Sequence, residues 1–112
     1  MIFKVTSRKP FCNDYRFRDQ IRASSGSIMD NIAEGYERDG NKEFMQFLSI
    51  AKGSCGETRS QAYRAFDYKY LNNDELQELL DRTINLSKGI SGFISYLKKS
   101  SYKGQKFIKC EP

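Results

Sequence analysis

Histidine is absent from this chain of 112 residues, and so is tryptophan. Without an imidazole there is no His-assisted nucleophile, no His-ligated metal and no His proton relay. An enzyme would be left with carboxylates, lysine or a bare thiolate. Proline occurs twice and cysteine three times, at Cys12, Cys55 and Cys110. Three cysteines so widely spaced argue against a disulfide framework or a zinc site and fit a reducing compartment. No apolar run approaches the roughly 18 residues of a membrane span. Residues 1–5, Met-Ile-Phe-Lys-Val, are too short for the apolar region of a signal peptide, so a cytoplasmic location is expected.

What the chain does have is aromatic side chains and charge. Eight Phe and seven Tyr supply core volume, apolar residues make up 38%, and the length is that of one domain. The net charge of +5 is unevenly placed. Lys4, Arg8, Lys9, Arg16 and Arg18 stand against Asp14 alone at the start, and Lys98, Lys99, Lys103, Lys106 and Lys109 against Glu111 at the end. The middle is mildly acidic. Basic ends of this kind fit a polyanion partner, nucleic acid first, and also fit simple solubility.

The apolar period is helical throughout. Phe17, Ile21, Ser24, Ile28, Ile32 and Gly35 recur at steps of three and four, which predicts a helix over about 15–38. Its small-residue centre, Ala23-Ser24-Ser25-Gly26-Ser27, is a poor helix former and points to close packing. After Asp39-Gly40, a second helix is expected over about 42–71 with Asn41 as its N-cap. Phe44, Phe47, Leu48, Ala51, Cys55, Ala62, Ala65, Phe66 and Tyr70 form its stripe; Gly53 and Gly56 again hint at tight packing. Asn72 and Glu75 read as a capping box that opens a third helix over about 73–99, with Lys98 and Lys99 suiting its C-terminus. Ile2, Phe3 and Val5 read as the last turn of a helix whose beginning is absent. Residues 6–14 read as a loop and residues 100–112 as a basic, flexible tail, leaving 1–99 as one helical domain. Short turns between such helices give an all-α, up-down antiparallel bundle.

Few motifs carry chemistry. Ser49-x-x-Lys52 lacks every supporting element of an acyl-transferase site, and Gly53-Ser54-Cys55-Gly56 lacks the phosphate-loop spacing. Asn85-Leu86-Ser87 is a glycosylation sequon without a secretory context, and Cys55 lies on an apolar stripe with no base to activate it. Arg22, Asn31, Glu34, Glu43 and Glu57 are expected to form an interhelical hydrogen-bond and ion-pair network that fixes register. Carboxylates alone, without a pocket or metal partner, make no acid–base site, so no catalytic residue, metal or cofactor is expected. The binding signal is the interleaving of aromatic and basic residues at both ends. It nominates Arg16 and Arg18, and then Lys98, Lys99, Lys103, Lys106 and Lys109, for nucleic-acid contact. The rival expectation is a protein-interaction scaffold with no nucleic-acid role.

One set of strings is distinctive. Asp19-Gln20-Ile21-Arg22, Asn31-Ile32-Ala33-Glu34-Gly35-Tyr36, Lys42-Glu43-Phe44 with Phe47-Leu48, and Ala51-Lys52-Gly53-Ser54 with Glu57 occur in order. Together they closely resemble the four-helix-bundle family named for proteins encoded in intervening sequences of 23S rRNA genes, often labelled ribosomal proteins. The resemblance runs from about Ile2 to Lys99. It implies an up-down four-helix bundle that assembles as a ring, typically a homopentamer, and no catalytic activity. It is similar also to the accessory protein of diversity-generating retroelements, a pentamer that engages reverse transcriptase and nucleic acid. The expected partners are therefore a second copy of the chain, RNA or another nucleic acid, and a protein. Two departures stand out: Gly40 replaces a common capping serine, and most of the family's long first helix would precede Met1.

Overall fold

A computed structural model describes the backbone of residues 1–110 and the side chains of residues 1–100. Four helices follow one another: α1 (Ile2–Thr6), α2 (Tyr15–Glu37), α3 (Asn41–Asp67) and α4 (Asn73–Cys110), with a 3-10 turn at Phe11–Asn13 between the first two. The all-α bundle expected from periodicity is present. Its central helix is α3, along which α2 and α4 both pack, while α1 packs on α2.

Each boundary has a local cause. Asp14 caps α2, its carboxylate accepting from the Phe17 amide at 3.4 Å. Gly40 adopts φ +97°, a left-handed conformation open to glycine, and occupies the cap position of α3. Asn41 is therefore the first helical residue, not the cap, and its side chain makes no capping bond. The third helix stops at Asp67, short of the expected 71, because Lys69 turns left-handed at φ +64°. The Tyr70 amide then donates back to the Ala65 carbonyl at 2.8 Å, and the Lys69 amide to Phe66 at 2.9 Å, closing the helix end without a glycine. Asn72 and Glu75 form the expected capping box: the Glu75 amide donates to Asn72 Oδ1 at 2.8 Å and the Asn72 amide to Glu75 Oε1 at 2.9 Å. No proline stops α4 near residue 99, and it continues to Cys110, so Lys98 and Lys99 lie within the helix and not at its end.

The core has two apolar clusters separated by a polar layer. Val5, Phe11, Phe17, Ile21, Ala62, Ala65, Leu71 and Leu79 form the first, and Ile28, Leu48, Ala51, Cys55, Ile90 and Leu97 the second. Between them in sequence on α2 and α3 sit Ser24, Thr58 and Gln61, all buried. Ser24 Oγ donates to Gln61 Oε1 at 2.5 Å and lies 2.9 Å from Thr58 Oγ1, so one chain of hydroxyls joins the helices. Ser27 and Ser54 add a further bridge at 3.0 Å.

Among the described residues, close backbone approach occurs at Gly35, which the periodicity places on the apolar stripe without marking it for tight packing. A Cβ on Gly35 would lie 2.6 Å from Phe47 Cβ and 2.9 Å from Phe44 Cδ1. This explains the glycine at the end of the Asn-Ile-Ala-Glu-Gly string. Around Gly53, by contrast, nothing lies within 4 Å, and Gly56 meets only the Arg59 side chain at 3.9 Å. Tight packing at Gly53 and Gly56 is thus corrected to tight packing at Gly35.

Candidate nucleic-acid interface

The start of α2, the end of α3 and the segment before Phe11 meet at one end of the bundle. Phe11, Phe17 and Tyr70 stack there, with ring centroids 5.5 Å apart for Phe11–Phe17 and 4.8 Å for Phe11–Tyr70. The Tyr70 hydroxyl donates to Asp14 Oδ2 at 2.8 Å, and this bond raises the Tyr70 pKa above its ordinary value. Arg8 closes the same end, donating to both carboxylate oxygens of Glu75 at 2.6 and 2.8 Å and to the Tyr70 carbonyl at 3.0 Å. The hydrogen bond with Arg8 holds the Glu75 carboxyl below its ordinary range, and the same pairing raises Arg8.

Two clefts open on this frame and share Tyr70. One, about 320 Å³, is bounded by Asp14, Arg16, Phe17, Gln20, Arg64 and Tyr68. The other, about 530 Å³, has Arg8, Lys9, Lys69 and Glu75 on its walls, together with Asp67. The Arg64 guanidinium sits 4.8 Å from the Phe17 ring centroid. Among the described residues, Lys9, Arg16, Arg64 and Lys69 enter no ion pair, and Tyr15 and Tyr68 expose most or half of their surface. Cations outside ion pairs beside exposed aromatic side chains are the ingredients of single-strand recognition.

The nominated cations do not converge. Arg16 is exposed and borders the smaller cleft. Arg18 lies 5.0 Å over the Tyr15 ring, donates to Asp19 at 2.9 Å and reaches the Cys12 carbonyl at 3.3 Å, so it is largely engaged. Lys98 and Lys99 are exposed at the other end of the bundle, beyond the point where Phe93 packs on Phe44. Lys103, Lys106 and Lys109 have side chains outside the described residues. Arg64, Tyr68 and Lys69 were not nominated. The run Tyr63-Arg64-Ala65-Phe66-Asp67-Tyr68-Lys69-Tyr70 carries the same aromatic–basic mixture as the termini, and that signal would have found them.

The expected polar network forms with different partners. Arg22 donates to Thr6 Oγ1 at 2.8 Å and Ser7 Oγ at 3.1 Å and covers the Phe3 ring at 4.8 Å, which holds α1 against α2. Asn31 bonds within its own helix, to the Ser27 carbonyl at 2.7 Å and hydroxyl at 2.8 Å. Glu34 pairs with Arg38 one turn on, at 2.7 Å, and Glu43 and Glu57 are exposed. Among the described residues these five do not bond to one another. Ser24, Thr58 and Gln61 carry the buried interhelical bonds instead, because short side chains reach across a close helix pair without burying charge. Burial raises the Cys55 thiol's pKa, in keeping with a small core residue.

Among the described residues no three His, Cys, Asp or Glu side chains group to hold a metal ion, and no helix is long and apolar enough to cross a membrane. Comparison with known proteins finds no matching curated protein and no matching solved structure. The family described as 23S rRNA-intervening sequence protein matches residues 1–92. That span includes all of α1, α2 and α3, the first half of α4, and both clefts, so the chain belongs to the 23S rRNA-intervening sequence protein family.

Proposed function

We propose that this chain is a non-enzymatic, self-associating helical bundle of the cytoplasm that binds RNA through its basic surfaces. The observation that carries the reading is the bundle end where, among the described residues, Lys9, Arg16, Arg64 and Lys69 stay outside ion pairs beside exposed Tyr15 and Tyr68. The family's name, which refers to 23S rRNA, supports rRNA as the class of partner. Affinity would come from cations neutralising phosphates, and a ring of subunits would multiply it by avidity.

Self-association is supported by a groove between α2 and α4. Two apolar cavities of about 570 and 410 Å³ meet at Leu86. Along them Phe3 and Tyr36 are each 73% exposed, Met29 60% and Phe93 42%. With large side chains presenting about 150–250 Å² each, these four and Leu86 offer roughly 600 Å². A standard interface takes about 800 Å² from each partner, so this groove would supply most of one side, which supports a second copy of the chain as its occupant. A pentamer is the state that family resemblance favours.

Oligomeric mass and co-purified nucleic acid, measured on one native preparation, test both parts. An oligomer carrying RNA is expected. An oligomer with no RNA, and with none bound at low salt, would leave a protein-interaction scaffold. A monodisperse monomer at micromolar concentration would remove self-association.

A further inference from the structure

We infer that the smaller cleft, between the start of α2 and the end of α3, is a subsite for one unpaired base of single-stranded RNA, with Tyr68 as its stacking platform. The inference rests on the RNA-binding reading and adds the site and the form of RNA.

Tyr68 is 51% exposed, yet its ring is fixed in place. It meets Phe17 edge-on, with centroids 5.4 Å apart and planes at 78°, and Tyr70 likewise at 5.7 Å and 66°. The backbone under it is pinned by the bonds that close α3, with the Tyr68 amide donating to the Arg64 carbonyl at 2.9 Å. An aromatic side chain packed against two other rings and half open to solvent is pre-ordered for stacking, so a base meets it at little ordering cost. Both neighbours of the cleft supply the rest of a nucleotide's contacts. The Arg64 guanidinium rests on Phe17 with no side-chain hydrogen bond among the described residues, and Arg16 is exposed on the opposite wall. Either can meet a phosphate. Gln20 borders the cleft with an amide that offers one acceptor and two donor hydrogens, the complement of a base edge.

Among the described residues, the carboxylate that borders the cleft is already occupied. Asp14 accepts from the Phe17 amide and from the Tyr70 hydroxyl, so its charge is directed into the fold. The adjoining cleft places Lys9 and Lys69 beyond Tyr70, where the strand's backbone would leave the subsite. A duplex cannot use this arrangement because its base faces are covered by their neighbours.

The test uses the full chain and a short oligouridylate carrying a single 2-aminopurine. Stacking on Tyr68 quenches the probe's fluorescence on binding. Tyr68→Ala should abolish the quench and weaken binding about tenfold to a hundredfold, whereas Tyr68→Phe should retain both. Arg16→Ala, at an exposed position that cannot unfold the bundle, should weaken binding and lower the salt slope by about 0.7. Salt-dependent binding with no quench, or with Tyr68→Ala and Arg16→Ala both matching wild type, would overturn the subsite and leave RNA binding standing. Duplex RNA bound as tightly as the single strand would also overturn it. Absence of any RNA binding at low salt would overturn the subsite together with the reading beneath it.

Discussion

Tyr70 donates its phenolic proton to Asp14 across 56 residues of sequence, at 2.8 Å, and so ties the turn after α3 to the cap of α2. The bond needs Tyr70 in its neutral form, which is why its pKa is raised. A raised folded value contributes stability that is complete below the ordinary phenol pKa of about 10 and is lost as pH climbs through the folded value. The melting temperature of wild type should therefore fall more steeply above about pH 10 than that of Tyr70→Phe. Parallel alkaline melting curves would show that the bond does not contribute.

Gly35 and Gly53 should respond to alanine with opposite signs. Alanine is favoured over glycine in a helix by about 1 kcal/mol. At Gly53, where nothing lies within 4 Å, that preference acts alone and Gly53→Ala should stabilise by up to about 1 kcal/mol. At Gly35 the new methyl meets Phe47 Cβ at 2.6 Å, an atom fixed to the backbone of α3, so the two helices must separate. Gly35→Ala should destabilise by about 1–3 kcal/mol in urea unfolding.

The polar layer gives a third expectation. Ser24→Ala leaves Thr58 and Gln61 buried without their shared partner and should cost about 1–3 kcal/mol. Thr58→Val should cost a similar amount, and the double variant less than the two together, since the second change removes a group the first had already stranded. A double-mutant cycle by urea unfolding measures the coupling; strict additivity would mean the hydroxyls act independently.

How much of this was legible depended on sequence distance. The stripe Phe17, Ile21, Ser24, Ile28, Gly35 is buried as its period requires, and the Asn72–Glu75 box closes as its spacing predicts, because both are properties of neighbouring residues. Lys69 was opaque: a lysine in the left-handed region carries no signature of its own, so the end of α3 and the placement of Tyr70 were both missed. The layer of Ser24, Thr58 and Gln61 was missed for another reason. Its members are polar residues on an apolar stripe, and only the packing of α2 on α3 shows that they satisfy one another. Arg22 was recognised as an interhelical residue, but its partners, Thr6 and Ser7, lie on and just after a helix of five residues whose docking no periodicity reveals. The basic end was half visible. Arg16 was nominated, while Arg64 and Tyr68 join it only because α3 runs antiparallel to α2.

The affinity of the full chain for single-stranded RNA, followed across a salt series, tests the central claim most directly. Each phosphate neutralised on a single strand contributes about −0.7 to the slope of log affinity against log salt. The account predicts a linear fall whose slope shrinks by about 1.4 when Arg16 and Arg64 are both replaced by alanine, with little dependence on base sequence in the electrostatic part. Undetectable binding at low salt, or an affinity indifferent to salt, would contradict it.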